Sequence, residues 1–309
     1  MKLGVVFGWH CLAWEDLLAL VMRAEALGYA AAYHDGDITQ LGQRQDTEVL
    51  DGWTVTTSLV ARTERIGVGS IRLVQHWNAA RLAQAAATLE RIAPGRLQFF
   101  ASIGDRPEDP AWGIPRLSPA ERIAFLDETL GAVRALWRGE AVECDGAYVR
   151  LDRARVRPVL GAGAPAIELG AKGPKLLELV ARHADIWNVN WPPIPDRVAA
   201  SADTLAAACG RAGRDPDAIR RRMWVFARAQ RLGSAEALAE FRRWNPWFAH
   251  LPDAEVTPSL VTGTPAECAD QLRHWGSQLR LEMAVVDLSG LDAGAARETL
   301  EAFPGGTIR

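Results

Sequence analysis

Short apolar, β-branched runs alternate along this chain with longer stretches whose apolar residues recur at helical spacing. The first run, "KLGVVFG", is followed by Leu17, Leu20, Val21, Ala24 and Leu27 on one helical face, which stops at Gly28. "AAAYH" then predicts a buried strand, "DGWTVTTSLVART" a helix opened by Asp51, and "RIGVGSIRLV" a third strand. A helix capped by Asn78 and ended by Pro94-Gly95 leads into "RLQFFASIG". Ser118, Pro119 and Glu121 have the spacing of a capping box at the start of the next helix. "AVECDGAYVRL" predicts a hairpin turning at Asp145-Gly146. "PAIELGA", "DIWNVN", "RRMWVFARAQ" and "MAVVDLSG" predict four more strands, each followed by a helical pattern.

Eight apolar strands alternating with helices indicate parallel βαβ units. In a chain of 309 residues, eight such units predict an α/β fold of the (β/α)8 TIM-barrel type rather than an open doubly wound sheet. No Pro/Ser-rich linker or break in composition divides the chain, so one barrel domain is expected over 1–309, with insertions near 140–151 and 244–262.

Apolar residues make up 49% of the chain, enough for a full core. A formal net charge of −3 and the absence of a long basic run argue against nucleic acid as a partner. The short cluster Arg220-Arg221-Arg222 reads as a solvated strand entry. Cys11, Cys144, Cys209 and Cys268 form no C-x-x-C pair, which removes zinc-ribbon and dithiol chemistry and fits a cytoplasmic protein. Glu15 and Asp16 interrupt the apolar start too early for a signal peptide, and no run is long enough to predict a membrane span. The twelve tryptophans are expected in the core or in a pocket wall.

In a barrel of this kind, function gathers where the strands end. The strand ends here include Trp9-His10-Cys11, His34-Asp35-Gly36-Asp37, Ser70-Ile71-Arg72, Ser102-Ile103-Gly104-Asp105, Asn188 and Asp287. Alternation along a strand turns His34 away from Asp35 and Asp37, so these three do not make a metal site. "ELGAKGPK" runs from a strand into a helix through Gly170, Ala171, Lys172 and Gly173. It reads either as an anion grip built from backbone N–H groups and lysine charge, or as an ordinary tight turn. Asp105, facing the mouth, is either a general acid or base or a turn cap, and His10 either a proton donor or a locally satisfied histidine.

These residues resemble the luciferase-like oxidoreductases that use FMN or the deazaflavin coenzyme F420. "WEDLLALVMRAEALGY", "LVARTERIGVGS", "LAQAAATLERIAPGRLQFFASIGD", "IELGAKGPKLLELVARHADIWNV" and "GTPAECADQLRHW" carry the resemblance, in order, over nearly the whole chain. It implies a (β/α)8 barrel with the cofactor ring in the mouth and its phosphate against Gly170-Ala171-Lys172-Gly173. It also implies cofactor contacts from Asp35, Ser70, Ile71, Ser102 and Asn188, and a non-proline cis bond near Ser70-Ile71-Arg72. Where relatives read Ser-Asp-His after the second strand, this chain has Asp35-Gly36-Asp37, a departure at two positions. Asp105 matches the acidic position that protonates or orients substrate in several deazaflavin-using members, with His10 and Asp37 as the alternatives.

The expected function is therefore an F420- or FMN-dependent oxidoreductase acting on a small organic substrate, as reductase, dehydrogenase or monooxygenase. The chain's short length leans toward F420. With FMN, a separate flavin reductase becomes a partner, and family habit implies a homodimer. Two other classes stand beside it: a barrel that binds without turnover, motivated by the altered "DGD", and a hydrolase or aldolase. The last lacks support, because no lysine ends a strand in an apolar setting and no carboxylate pair is evident.

Overall fold

Parallel pairing of β1 (Lys2–Phe7) with both β2 (Ala31–His34) and β11 (Met283–Asp287) closes a sheet on itself in a computed structural model. The structure describes residues 1–8, 12–36, 38, 49–104, 107–189, 192–229, 233–303 and 308. Around the ring the order continues from β2 through β3 (Gly67–Leu73), β4 (Leu97–Ser102), β7 (Ile167–Gly170), β8 (Ile186–Asn188) and β9 (Arg220–Ala229) back to β11. Every pairing in the ring is parallel. These are the eight strands expected from the alternation, and the (β/α)8 barrel is the observed fold.

The helices are α1 (Trp14–Ala26), α2 (Gly52–Arg62), α3 (Ala79–Ile92), α4 (Pro119–Trp137), α5 (Pro174–His183), α6 (Pro195–Ala212), α7 (Ser234–Trp244), α8 (Asp253–Val256), α9 (Pro265–Gln278) and α10 (Ala293–Ala302). Their boundaries follow the chemistry of the caps. The side chains of Asp51, Asn78, Ser118, Thr264 and Asp292 each accept a backbone N–H in the first turn of the helix that follows. Ser118/Glu121 and Thr264/Glu267 form full capping boxes. Gly28 ends the turn after α1 with φ 86°, a conformation that costs a side chain energy and glycine little.

Two apolar layers result from the two-residue period of the strands. In β11, Ala284 and Val286 face outward into the large core between sheet and helices, whereas Met283 and Val285 face the barrel interior with Val6, Ala31, Tyr33 and Phe100. Below the mouth the interior is polar. Arg222 donates to Tyr33 Oη at 2.7 Å, to Gln98 Oε1 at 2.7 Å and to Glu168 Oε2 at 3.0 Å. The Tyr33 hydroxyl in turn donates to Glu168 Oε2 at 2.7 Å, so charged and polar ends from four strands meet across the barrel.

Arg222, expected in a solvated strand entry, is thus 5% exposed inside the barrel, and three further expectations change. The hairpin β5 (Val142–Asp145) and β6 (Arg150–Ala154) forms, but its turn is the four-residue loop 146–149 rather than a tight Asp145-Gly146 turn. The Glu128 carboxylate of α4 accepts the N–H groups of Ala147, Tyr148 and Val149, which holds the wider loop open. Among the described residues the cis peptide is Arg157–Pro158; Ser70-Ile71-Arg72 runs trans within β3, paired to β4. The 244–262 segment contains α8 and leads into a further strand, β10 (Val261–Gly263), which the sequence reading missed. β10 pairs with Ala227–Ala229 because β9, at ten residues, extends past the barrel rim.

Candidate active site

A cavity of about 540 Å³ opens at the C-terminal ends of the strands. Among the described residues its wall takes Asp35, Ile71 and Leu73, Phe100 and Ser102, Gly170, Asn188, Trp224 and Phe226, and Asp287, from seven of the eight barrel strands or their ends. The volume lies within the range of small-molecule sites. The floor is Asn188, whose Nδ2 donates to Glu168 Oε1 at 2.9 Å and so ties the cavity to the polar network beneath.

One side of the mouth suits an anion. Gly170 and Lys172 line it, and so does Leu176 in the first turn of α5. The N-cap of α5 is Gly173, and no side chain caps that end, unlike the ends of α2, α3, α4, α9 and α10. A helix N-terminus left without a side-chain acceptor offers its N–H groups and positive dipole end to a ligand. The Lys172 ammonium lies 4.7 Å from the centre of the Phe248 ring, and burial holds its pKa below the ordinary lysine value. The turn is not a run of free donors, however. Ala171 is buried, its N–H donates to Asn188 O at 3.3 Å, and its carbonyl accepts from Trp187 Nε1 at 3.1 Å. Gly173 is exposed with φ −87°, and a Cβ there meets nothing within 4 Å, so no steric demand selects glycine.

The opposite wall is acidic. Asp35 and Asp287 both face the cavity. Asp287 is 6% exposed, and its Oδ1 accepts the Ser289 N–H at 2.8 Å. Burial raises its pKa above the ordinary carboxylate value; Arg228 and Ser289 oppose the shift, and the Asp35 charge adds to it. That these two carboxyl groups line one cavity is not legible in the sequence, because they lie 252 positions apart.

Aromatic side chains form the rest. Trp224 and Phe226 come from β9, and Phe241, Trp247 and Phe248 from α7 and the turn after it. Phe226, Phe241, Phe248, Leu251, Val256 and Leu260 pack as a small core of their own, so the 244–262 segment is a roof on the cavity. In the sequence this segment reads only as an insertion near 244–262. The missed signal was the alternation in "RRMWVFARAQ", which turns Trp224 and Phe226 inward while Met223 and Val225 face the helices.

Of the expected site residues, Asp35, Ile71, Ser102, Gly170, Lys172 and Asn188 share this one cavity. Ser70 does not line it. Its side chain is fully buried on the other face of β3, where a Cβ on Gly52 would come within 2.9 Å of its Oγ. His34 also points outward, as the alternation requires, with Nε2 3.0 Å from Thr56 Oγ1 of α2. Gly36 answers the question raised by "DGD": a Cβ at that position would fall on the carbonyl oxygen of Ile71, so no side chain fits there. Asp105, His10 and Asp37, the expected proton-handling residues, lie outside the described residues. No described group of His, Cys, Asp and Glu has the arrangement of a metal site, and no described helix is long and apolar enough to cross a membrane.

Known proteins align with this chain over much or all of its length. The phthiodiolone/phenolphthiodiolone dimycocerosates ketoreductase of Mycobacterium sp. (strain JLS) is 32% identical over 189 residues, 59% of this chain and 48% of that protein. The F420-dependent hydroxymycolic acid dehydrogenase of Mycobacterium tuberculosis is 27% identical over 297 residues, 94% of this chain and 80% of that protein. The alignment thus spans about half the length of the first relative and most of the second. An F420-dependent secondary alcohol dehydrogenase, solved with an F420–acetone adduct, superposes with a TM-score of 0.79 at 18% identity, covering 98% of this chain and 99% of that one. The model of the luciferase-like monooxygenase family matches residues 1–243, and the chain belongs to that family.

Proposed function

We propose that this chain is an oxidoreductase that uses a deazaflavin of the F420 type, with FMN as the second candidate, to oxidise or reduce a small neutral organic substrate in the barrel mouth. The observation that carries the reading is the polarity of the cavity: an uncapped helix end and Lys172 on one side, a wide aromatic wall above, and buried carboxyl groups opposite. A phosphorylated, planar cofactor needs an anion site and an apolar slot, and the donor set fits both. The relatives' names support F420 over FMN.

Gly170, Lys172 and the first turn of α5 would hold the anionic tail, and Asp35, Ile71, Ser102 and Asn188 would border the ring. The bound cofactor supplies the two-electron chemistry. The chain supplies orientation, a wall that excludes water, and a proton-bearing group. From its place in the sequence, Asp105 is proposed for that last role, with His10 and Asp37 as alternatives. The aromatic roof favours an uncharged substrate, and an anion would meet the Asp35 and Asp287 carboxyl groups on the acidic wall. One domain is proposed to carry the activity, in a homodimer. If the cofactor is FMN, a separate reductase supplies it reduced.

Titration of the protein with F420 and with FMN, each followed by fluorescence, tests the reading. Binding tighter than about 1 mM, roughly −4 kcal/mol, is expected for one of them. Absence of binding by both defeats it.

A further inference from the structure

We propose that Trp224 is the stopper of the cavity: its indole sets how deep a substrate reaches into the barrel, and so restricts the protein to short, compact alcohols or ketones. The substrate class rests on the function proposed above. The stopper itself rests on the fold alone.

The inward-facing residues of β9 climb the barrel two positions at a time. Arg222 lies in the sealed charge network, Trp224 one step above it, and Phe226 a further step up, in the small core of the roof. The Trp224 ring is 5.7 Å from that of Phe100 of β4 and perpendicular to it, and 5.9 Å from that of Tyr33 of β2. Around the ring of strands, β2 and β4 each lie three strands from β9, in opposite directions. One side chain from β9 therefore crosses the interior and meets rings from the far side. Trp224 and Phe100 line the cavity, whereas Tyr33 does not; it is fully buried, with its hydroxyl tied to Glu168. The boundary between open and sealed space thus runs along the Trp224 and Phe100 rings, and Asn188 closes the floor beside them on β8.

The indole serves here as bulk. Its Nε1 is buried and has no hydrogen-bond partner among the described residues. A buried donor left unpaired is destabilising, and a buried tryptophan usually finds an acceptor. Phenylalanine would fill much of the same space without that cost. What tryptophan adds is the reach of a second ring, enough to close the barrel. The space beneath is apolar: without the indole the cavity would open onto Tyr33, Phe100, Met283 and Val285, which pack with it as one cluster. An alkyl chain suits such a space, and Trp224 keeps it out.

Calorimetric titration of the cofactor-free protein with unbranched 2-alkanones of increasing length, from acetone to 2-decanone, tests the stopper without turnover. Each methylene that enters an apolar cavity is expected to tighten binding about fourfold. In wild type the gain is expected to stop at the length where the chain meets the indole. In Trp224→Ala it is expected to continue to longer chains. Trp224→Leu, which keeps more of the packing, is expected to show a smaller extension and decides the matter if Trp224→Ala folds poorly. Affinity that rises through the whole series in wild type, a break at the same length in the variants, or no binding by any alkanone overturns the stopper. With reduced F420, the ratio of kcat/KM for 2-octanone to that for acetone is expected to rise about tenfold or more in the variants. An unchanged ratio overturns the role in substrate choice. Failure of wild type to bind F420 and FMN would instead defeat the function proposed above and leave the calorimetric result standing.

Discussion

Asn188 Nδ2 and Glu168 Oε1 are 2.9 Å apart, and this bond is the seam between a cavity open to ligands and a charge network sealed inside the barrel. Glu168 is 1% exposed and is the direct ionic partner of Arg222, whose side chain is 6% exposed. Glu168→Ala strands a buried guanidinium and is expected to cost about 3–5 kcal/mol. Denaturant unfolding measures it; a loss under about 1 kcal/mol would mean that Glu282, which also reaches Arg222 at 3.3 Å, suffices alone.

Gly36→Ala is expected to destabilise the fold by about 2 kcal/mol or more, since the new methyl group meets the rigid Ile71 carbonyl rather than a movable side chain. Gly173→Ala serves as the control, having open space around it, and is expected to change stability by less than about 0.5 kcal/mol. Equal melting temperatures for the two variants would contradict the packing described at the end of β2.

Lys172→Met is expected to weaken cofactor binding by about tenfold to a hundredfold, the loss of one charge-assisted contact, with little change in melting temperature. The affinity is read by fluorescence titration. If the variant binds as tightly as wild type, the anion does not sit at the turn after β7.

Stability should carry the mark of Asp287. Its pKa in the folded protein is raised by burial, whereas the unfolded chain titrates near the ordinary value of about 4. The favourable contribution of the neutral carboxyl is therefore complete below the unfolded pKa and is lost as pH rises through the folded one. Asp287→Asn has no such loss, so its melting temperature relative to wild type is expected to climb with pH from about 4 and then level off. A difference that stays constant with pH would show that the group is ionised normally.

Much of this architecture was legible before any coordinates. Strand positions, the caps at Asp51, Asn78, Ser118 and Thr264, and the barrel itself follow from local patterns, because each depends on residues within a few positions of one another. That Asp35, Lys172 and Asn188 line one cavity follows from strand ends pointing to the mouth. What escaped were relations across the ring. Asp287 gains meaning only beside Asp35, and the glycine at position 36 only against a carbonyl of β3. The wide hairpin loop depends on Glu128 from another element. The outward position of Ser70 is illegible for a subtler reason: one residue along a strand reverses the face, and the strand's small residues do not fix its phase.

The overhang of β9 has a consequence for how this protein can change. Because the roof over the cavity is stitched to the rim by β10 and packs on a small apolar nucleus apart from the main core, shared with Phe226 of β9 and Phe241 of α7, its sequence can vary as long as that nucleus stays apolar. New substrates could be accommodated by rewriting residues 244–260 while the strands that hold the acids, the lysine and the helix end are inherited untouched.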